Sequence, residues 1–123
     1  MPDASPRPSD IGPDGLPAIF WAIKNYDAQS VRRYLDAGGD IEVKGFAGAT
    51  PALSAAVGDV WSICLLLLQR GADPKVFDKR GFTIAWLANR ADIDPTSDEG
   101  RALAAVRTIL ERRGATLIVE PSR

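Results

Sequence analysis

One glycine spacing recurs along this chain and restricts the folds open to it. Gly15, Gly48 and Gly81 are equally spaced, and Gly38 and Gly71 are separated by the same interval. Similar residue types surround the glycines of each series. The interval is about 33 residues, within the range of roughly 20–50 residues that is typical of stacked supersecondary units. We therefore expect units that pack side by side, because a single unit cannot bury its apolar face alone.

Each unit has the pattern of two short helices. In the second unit, Thr50 is suited to cap a helix N-terminus and Pro51 to occupy the first turn. The pair Gly58-Asp59 interrupts the pattern, and the apolar stretch from Trp61 to Leu68 resumes it at helical spacing. Gly71 can then end the second helix with a positive φ. The pattern predicts a helix–turn–helix unit.

Two segments of the second unit make its pattern specific. It opens with Gly48-Ala49-Thr50-Pro51-Ala52 and closes with a run from Leu65 to Pro74 that reads Leu-Leu-Leu-Leu-Gln-Arg-Gly-Ala-Asp-Pro. With the 33-residue period, these segments resemble the ankyrin repeat, over roughly residues 14–118. The resemblance implies an all-α, short ankyrin-type solenoid of three units, the last one elongated as a cap. Phe20, Leu53 and Trp86 stand where the family has a histidine, so the turns must rely more on apolar packing.

The domain limits follow from the same spacing. We expect a disordered Pro-rich segment over residues 1–13, an ankyrin-repeat domain over 14–119 and a tail over 120–123. The units are predicted at about 14–47, 48–80 and 81–119.

The last unit is longer, because its closing Gly114 follows Gly71 by more than one period. The insertion lies between its two helices, from Ala91 to Glu99. Thr96 and Glu99 have the spacing of a capping box, which predicts a long helix from about Ser97 to Arg113. The residues expected to face inward are Leu103, Val106, Ile109 and Leu110. Thr116–Val119 is predicted to be extended and to pack over the open end of the stack.

The amino-acid composition excludes several kinds of catalytic and binding site. The 123 residues include no histidine and one cysteine, and 15 basic against 16 acidic side chains give a net charge of −1. We therefore expect no imidazole-based catalysis, no cofactor and no nucleic-acid partner. The insertion has the alternating oxygen-bearing residues of a calcium loop at Asp92, Asp94, Thr96 and Asp98. The glycine and glutamate required at the sixth and twelfth positions of such a loop are missing, so helix capping is predicted there and not a metal site. Cys64 lies within an apolar helical run and is predicted to be a core residue.

The location is predicted from similar considerations. The polar N-terminal segment contains no apolar stretch typical of a secretion signal, and no apolar run approaches the about 20 residues of a membrane-spanning helix. A single cysteine fits a reducing compartment. We expect a cytoplasmic chain that is a monomer when free.

The loops between units contain aromatic residues at positions that tolerate charge. Aligned by the period, Phe46 corresponds to Lys79 and Phe77 to Lys44, so both rings are predicted to be exposed. Phe82 is also expected to face solvent. Exposed aromatic side chains near Lys and Arg are typical of protein interfaces. The resemblance implies binding through these loops and the inner face of the first helices.

The partner-binding surface predicted in this way consists of Phe20, Lys24, Tyr26, Phe46, Val57, Phe77, Lys79, Phe82, Trp86 and Arg90. Trp21 and Trp61 are expected in the core, and Trp86 at the edge of the inner face.

The function predicted from these observations is non-catalytic binding of another protein, to inhibit, neutralise or regulate it. If the chain is bacterial, family analogy makes immunity against a toxin a specific form of this hypothesis. The alternative is a structural or assembly protein that associates with itself through Phe46, Phe77 and Phe82. An enzyme using only acids or Cys64 is a third hypothesis.

Overall fold

The computed structural model describes residues 10–115. Within them lie six α-helices, a 3-10 turn at Phe46–Gly48 and, in place of β-strands, only two isolated bridges. The helices are α1 (Ala18–Lys24), α2 (Ala28–Asp36), α3 (Pro51–Val57), α4 (Trp61–Gln69), α5 (Ile84–Arg90) and α6 (Asp98–Arg112). The predicted all-α class is confirmed for this part of the chain.

The helices pack as three consecutive pairs: α1 with α2, α3 with α4, and α5 with α6. The first helices of the pairs contact one another in the order α1, α3, α5, and the second helices contact in the order α2, α4, α6. Two rows of helices result. The core lies between them, since each helix turns its apolar residues toward the other row.

The backbone repeats with the spacing found in the sequence. The amides of Gly12, Gly45 and Asp78, which are one period apart, each donate to the carbonyl oxygen four residues ahead, at 2.7, 2.8 and 3.2 Å. Tyr26 and Asp59 are also one period apart and have φ angles of 57° and 58°. The three helix pairs therefore begin with similar turns, and the first two pairs also share the turn between their helices.

The central pair provides much of the core. Thr50 caps α3 by accepting a hydrogen bond from the amide of Leu53 at 3.3 Å, as predicted. The buried alanines of α3 allow neighbouring helices to approach closely. Trp61 is fully buried, as predicted, and its indole N–H donates to Asp59 Oδ1 at 3.0 Å. This bond satisfies the one polar group of a large core side chain.

α6 has the predicted extent but a different cap. Ser97 Oγ, rather than Thr96, accepts from the amide of Gly100 at 3.0 Å. The Thr96 hydroxyl instead donates to Asp94 Oδ1 at 2.8 Å. The predicted capping box is therefore wrong, because Thr96 is engaged by Asp94 and the Glu99 side chain turns toward another helix. Of the four residues predicted to face inward, Leu103, Val106 and Leu110 are buried and Ile109 is half-buried.

A side chain of α6 and the side chain of Arg113, which directly follows α6, bond to the two ends of α4. α4 has no side-chain cap from its own N-cap residue, but Glu99 Oε1 accepts from the amide of Ser62 at 3.2 Å. At the other end, the Arg113 guanidinium donates to the carbonyl oxygens of Leu68 and Ala72, at 2.9 and 3.3 Å. An acid at the N-terminus and a cation at the C-terminus also complement the helix dipole.

The two ends of the chain lie partly outside this description. Residues 1–9 and 116–123 are not described, so the expectations for most of the N-terminal segment and for Thr116–Val119 fall outside the described residues. Residues 10–13 belong to a turn in which Ile11 bridges Pro17 and the amide of Ala18 donates to the Asp10 carbonyl at 2.9 Å. Among the helices of residues 10–115, none has the length and apolar character needed to cross a membrane.

Candidate functional site

Two equivalent loops precede α3 and α5, and we call them the first finger (residues 43–49) and the second finger (residues 76–82). They are joined directly, because the amide of Lys79 donates to the carbonyl oxygen of Ala47 at 2.9 Å. Phe46 and Phe77 are 67% and 70% exposed, as the period alignment predicted. The fingers therefore present two large aromatic rings to solvent on a hydrogen-bonded backbone.

Asp78 organises the second finger. Its side chain is fully buried, and Oδ1 accepts from the amides of Arg80 and Phe82 at 2.8 and 3.1 Å. Oδ2 accepts from Nε and Nη2 of Arg80 at 3.0 and 2.7 Å. Charge-assisted bonds of this kind are short and strong. One carboxylate thus closes the turn and fixes the direction of the Arg80 guanidinium.

Arg80 belongs to a continuous series of stacked side chains, which we call the aromatic–arginine ladder and which consists, in order, of Phe46, Arg80, Phe82, Trp86 and Arg90. Arg80 Cζ lies 5.4 Å from the Phe46 ring centroid and 4.7 Å from that of Phe82. Phe82 stacks on Trp86 with centroids 5.4 Å apart, and Arg90 Cζ lies 4.3 Å from the Trp86 centroid. Each exposed cation–π contact contributes about 0.5–1 kcal/mol. The ladder therefore holds these side chains in place before any partner binds.

A cavity of about 430 Å³ lies between the two fingers. Lys44, Phe77 and Lys79 line it, together with backbone of Gly45 and Gly48. Asp78 also borders the cavity, but its carboxylate is already bound to Arg80. The cavity is thus bordered by an aromatic residue and two lysines.

One predicted surface residue belongs to the core. Phe20 is only 6% exposed, and its ring lies beneath the first finger, where a Cβ on Gly45 would come within 2.7 Å of it. The expectation that Phe20 contributes to the surface is wrong, since the ring fills the space under this turn. The opposite correction applies to Trp21, which was expected in the core. It is 38% exposed and lines a separate cavity of about 570 Å³ beside Ile11.

The other predicted residues are accessible to different degrees. Lys24, Val57 and Arg90 are the last residues of α1, α3 and α5, and all three are exposed. Tyr26 is 58% exposed in the turn after α1. Phe82 and Trp86 are half-buried, because each covers the other in the ladder.

The structure brings some of these residues together and leaves others apart. Phe46, Phe82, Trp86 and Arg90 are joined through Arg80, and Phe77 shares the cavity with Lys79. Lys24 instead lies over Trp21, with Nζ 5.5 Å from the ring centroid.

Sequence reasoning missed Asp78, Arg80 and Lys44 as members of the site. Asp78 accepts from the amide two residues ahead, which is the geometry of an Asx turn. The order Asp78-Lys79-Arg80-Gly81 carries that signal in the sequence. Nothing local to the second finger indicates that Arg80 would stack on Phe46 of the first.

The described residues offer little reactive chemistry. Between residues 10 and 115 there is no group of three or more Cys, Asp or Glu side chains placed to hold a metal ion. Cys64 is buried, as predicted, and this burial raises the pKa of its thiol. A thiol held protonated is a poor nucleophile.

Comparison with models of known protein families gave no match. A search of curated proteins likewise found no significant match. The function is therefore inferred from the geometry of the fingers and the ladder.

Proposed function

We propose that this chain is a short ankyrin-type repeat protein that binds another protein without catalysis. Support for the repeat type comes from the two rows of helices and from turns that recur with the 33-residue period. The helix caps recur as well, because Thr83 accepts from the amide of Trp86 at 3.1 Å in the same way as Thr50 accepts from Leu53. Stacked pairs of this kind form an extended rigid surface.

The observation that carries the binding proposal is the exposure of Phe46 and Phe77 on constrained loops. Exposed aromatic rings on a fixed backbone lose little conformational entropy when a partner covers them, and aromatic and arginine side chains are enriched among residues that dominate binding energy. The proposed surface consists of Lys24, Tyr26, Lys44, Phe46, Val57, Phe77, Lys79, Arg80, Phe82, Trp86 and Arg90.

The proposed mode of action is occupation of the partner's surface. An interaction module of this size acts by inhibiting, neutralising or regulating what it covers. Neutralisation of a toxin, as an immunity protein, is one specific form of this proposal. A cytoplasmic location and a monomeric free state are further parts of it.

The test compares capture of partners from a lysate of the source organism by three versions of the chain. The wild type and an Ile11→Ala control, which shortens an exposed apolar side chain outside the proposed surface, are expected to retain one protein that the Phe46→Ala, Phe77→Ala double variant loses. Each anchor ring should contribute about 1–3 kcal/mol of binding. The double variant should melt within a few degrees of the wild type, since both rings are exposed and only the contact of Phe46 with Arg80, worth about 0.5–1 kcal/mol, is lost. Equal retention by all three versions would contradict the proposal.

Self-association is the second candidate, and the same two exposed rings favour it. Sedimentation velocity at two concentrations separates the proposals. A fraction of dimer that increases with concentration in the wild type and is absent in the double variant would support self-association. A monomer at both concentrations would leave the surface free for a different protein.

A further inference from the structure

The charges of the described residues are divided between two surfaces. The two fingers and the first helices α1, α3 and α5 contain five cations, Lys24, Lys44, Lys79, Arg80 and Arg90, against one acid, Asp78. The rest of residues 10–115 contains 8 basic and 13 acidic side chains. The fingers and the first helices are therefore positive, although the whole chain has a net charge of −1.

Lys79 and Arg90 have no acidic partner within the described part of the chain. Neither side chain takes part in an ion pair between residues 10 and 115. Lys44 forms no ion-pair contact there either but is electrostatically attracted to Glu42, two residues earlier, whose Oε2 accepts from the amide of Asp73 at 3.2 Å. Charged groups left without partners on a binding surface favour a partner of opposite charge.

The cations of the fingers and of α5 lie beside apolar side chains in two places. Lys44 and Lys79 line the cavity between the fingers beside Phe77. Arg90 lies over Trp86 at the end of the ladder, so the ring covers one face of its guanidinium. The N–H groups lie in the plane of the guanidinium and can still donate to a partner. Each place can hold a carboxylate next to an apolar side chain.

We propose that the partner inserts an acidic protein segment, with carboxylates at Lys44, Lys79 and Arg90 and an apolar side chain against Phe77. This inference rests on the proposed function and specifies the chemistry of its partner. A nucleic acid fits less well, because a phosphate backbone binds best to a continuous basic stripe. Here aromatic rings interrupt the cations, and the Arg80 guanidinium is already paired with the buried Asp78 carboxylate.

The test selects peptides from a phage-displayed library of random dodecapeptides on the immobilised full chain. The selected sequences should be enriched about threefold or more in Asp and Glu over the unselected library, with at least one aromatic or aliphatic residue among the acids. Two matched variants follow. Lys44→Glu with Lys79→Glu reverses the charge of the cavity, and Arg32→Glu with Arg112→Glu makes the same change in net charge on exposed positions of the other row of helices.

Synthetic copies of the selected peptides should bind the Lys44→Glu, Lys79→Glu variant about tenfold or more weakly than the wild type, and the control variant nearly as well as the wild type. Binding to the wild type should also weaken as salt rises from about 0.05 to 0.5 M. An equal loss in both double variants would overturn the inference, since it would reflect net charge alone.

Other outcomes separate this inference from the proposed function. Peptides without acidic enrichment that nevertheless need Phe46 and Phe77 would overturn the acidic partner and leave protein binding standing. Failure to select any peptide that depends on the fingers would overturn the inference, while the capture experiment above would still decide the proposed function. If the chain bound an oligouridylate more tightly than the selected peptides, the inferred partner would be RNA and not an acidic protein segment.

Discussion

The substitution Gly100→Ala sets two physical effects against each other. In an ordinary helix position, replacing glycine by alanine stabilises the folded state by about 1 kcal/mol. Gly100 lies in the first turn of α6, directly against the insertion that precedes it. A Cβ built there would lie 1.9 Å from the carbonyl oxygen of Asp94 and 2.8 Å from Pro95 Cα. All the contacted atoms belong to the backbone, so no side-chain rotation relieves the clash.

The expected magnitude follows from this distance. Ordinary contact requires a separation of at least about 3.4 Å, so the insertion or the helix must move by about 1.5 Å. Overpacking that forces backbone shifts typically costs about 1–3 kcal/mol. The Asp94 carbonyl also accepts from the Ser97 hydroxyl at 2.6 Å, and loss of that bond adds about 1 kcal/mol. After subtracting the gain in helix propensity, we expect a net destabilisation of about 1–3 kcal/mol.

Urea and thermal unfolding followed by circular dichroism measure this change. For a chain of this length, 1 kcal/mol corresponds to roughly 4 °C in melting temperature, so a decrease of roughly 4–12 °C is expected. The control is Ala104→Gly at an exposed position of the same helix, which should cost only the helix-propensity difference of about 1 kcal/mol. A melting temperature equal to or above that of the wild type for Gly100→Ala would refute the reasoning.

Three further predictions concern other parts of the stack. Leu67→Ala, at a fully buried position, should lower the free energy of unfolding by about 2–5 kcal/mol, and Leu66→Ala, at a half-buried one, by clearly less; urea titration of both variants checks the helix register. The hydroxyl and amide of Ser30 hold the pKa of Asp27 below its usual value, so its stabilising effect is complete above the unfolded pKa and is lost as pH falls through the lower folded pKa. Melting curves from pH 6 down to about 2 should therefore show a smaller loss for Asp27→Asn, which keeps a capping side chain, than for the wild type. Burial raises the pKa of Glu42, whose Oε1 has no hydrogen-bond partner among the described residues. The charged form of Glu42 therefore opposes folding above the folded pKa. Glu42→Gln should raise the melting temperature at pH 7 by a few degrees (below about 1 kcal/mol), and this difference from the wild type should disappear near pH 4.

The parts of the fold that depend on local signals could be predicted from the sequence. The turns follow from glycines spaced by the period, and the cap at Thr50 follows from the residues beside it. The extent of α6 follows from its apolar spacing. Exposure of Phe46 and Phe77 could also be predicted, because equivalent positions in the neighbouring unit hold lysine.

Contacts between distant segments decide the features that local patterns predict wrongly. Phe20 is buried because the first finger passes over its ring, and the sequence around Phe20 does not contain that contact. Glu99 has the right spacing for a local cap, but its carboxylate instead bonds to the amide of Ser62, 37 residues away. The ladder could not be predicted for the same reason, since Arg80 joins two fingers from different units.

The way α6 closes the ends of α4 has a consequence for folding cooperativity. Repeat stacks often unfold unit by unit when the coupling between neighbours is weak compared with the stability of each unit. Here Glu99 and Arg113 supply bonds to polar backbone groups at both ends of α4, and Arg107 bonds the Ala88 carbonyl near the end of α5 at 2.7 Å. Fraying of α6 would leave those groups without their partners. We therefore expect the amide protons of α4 and α6 to exchange with solvent at a common free energy, as one cooperative folding unit spanning the second and third pairs.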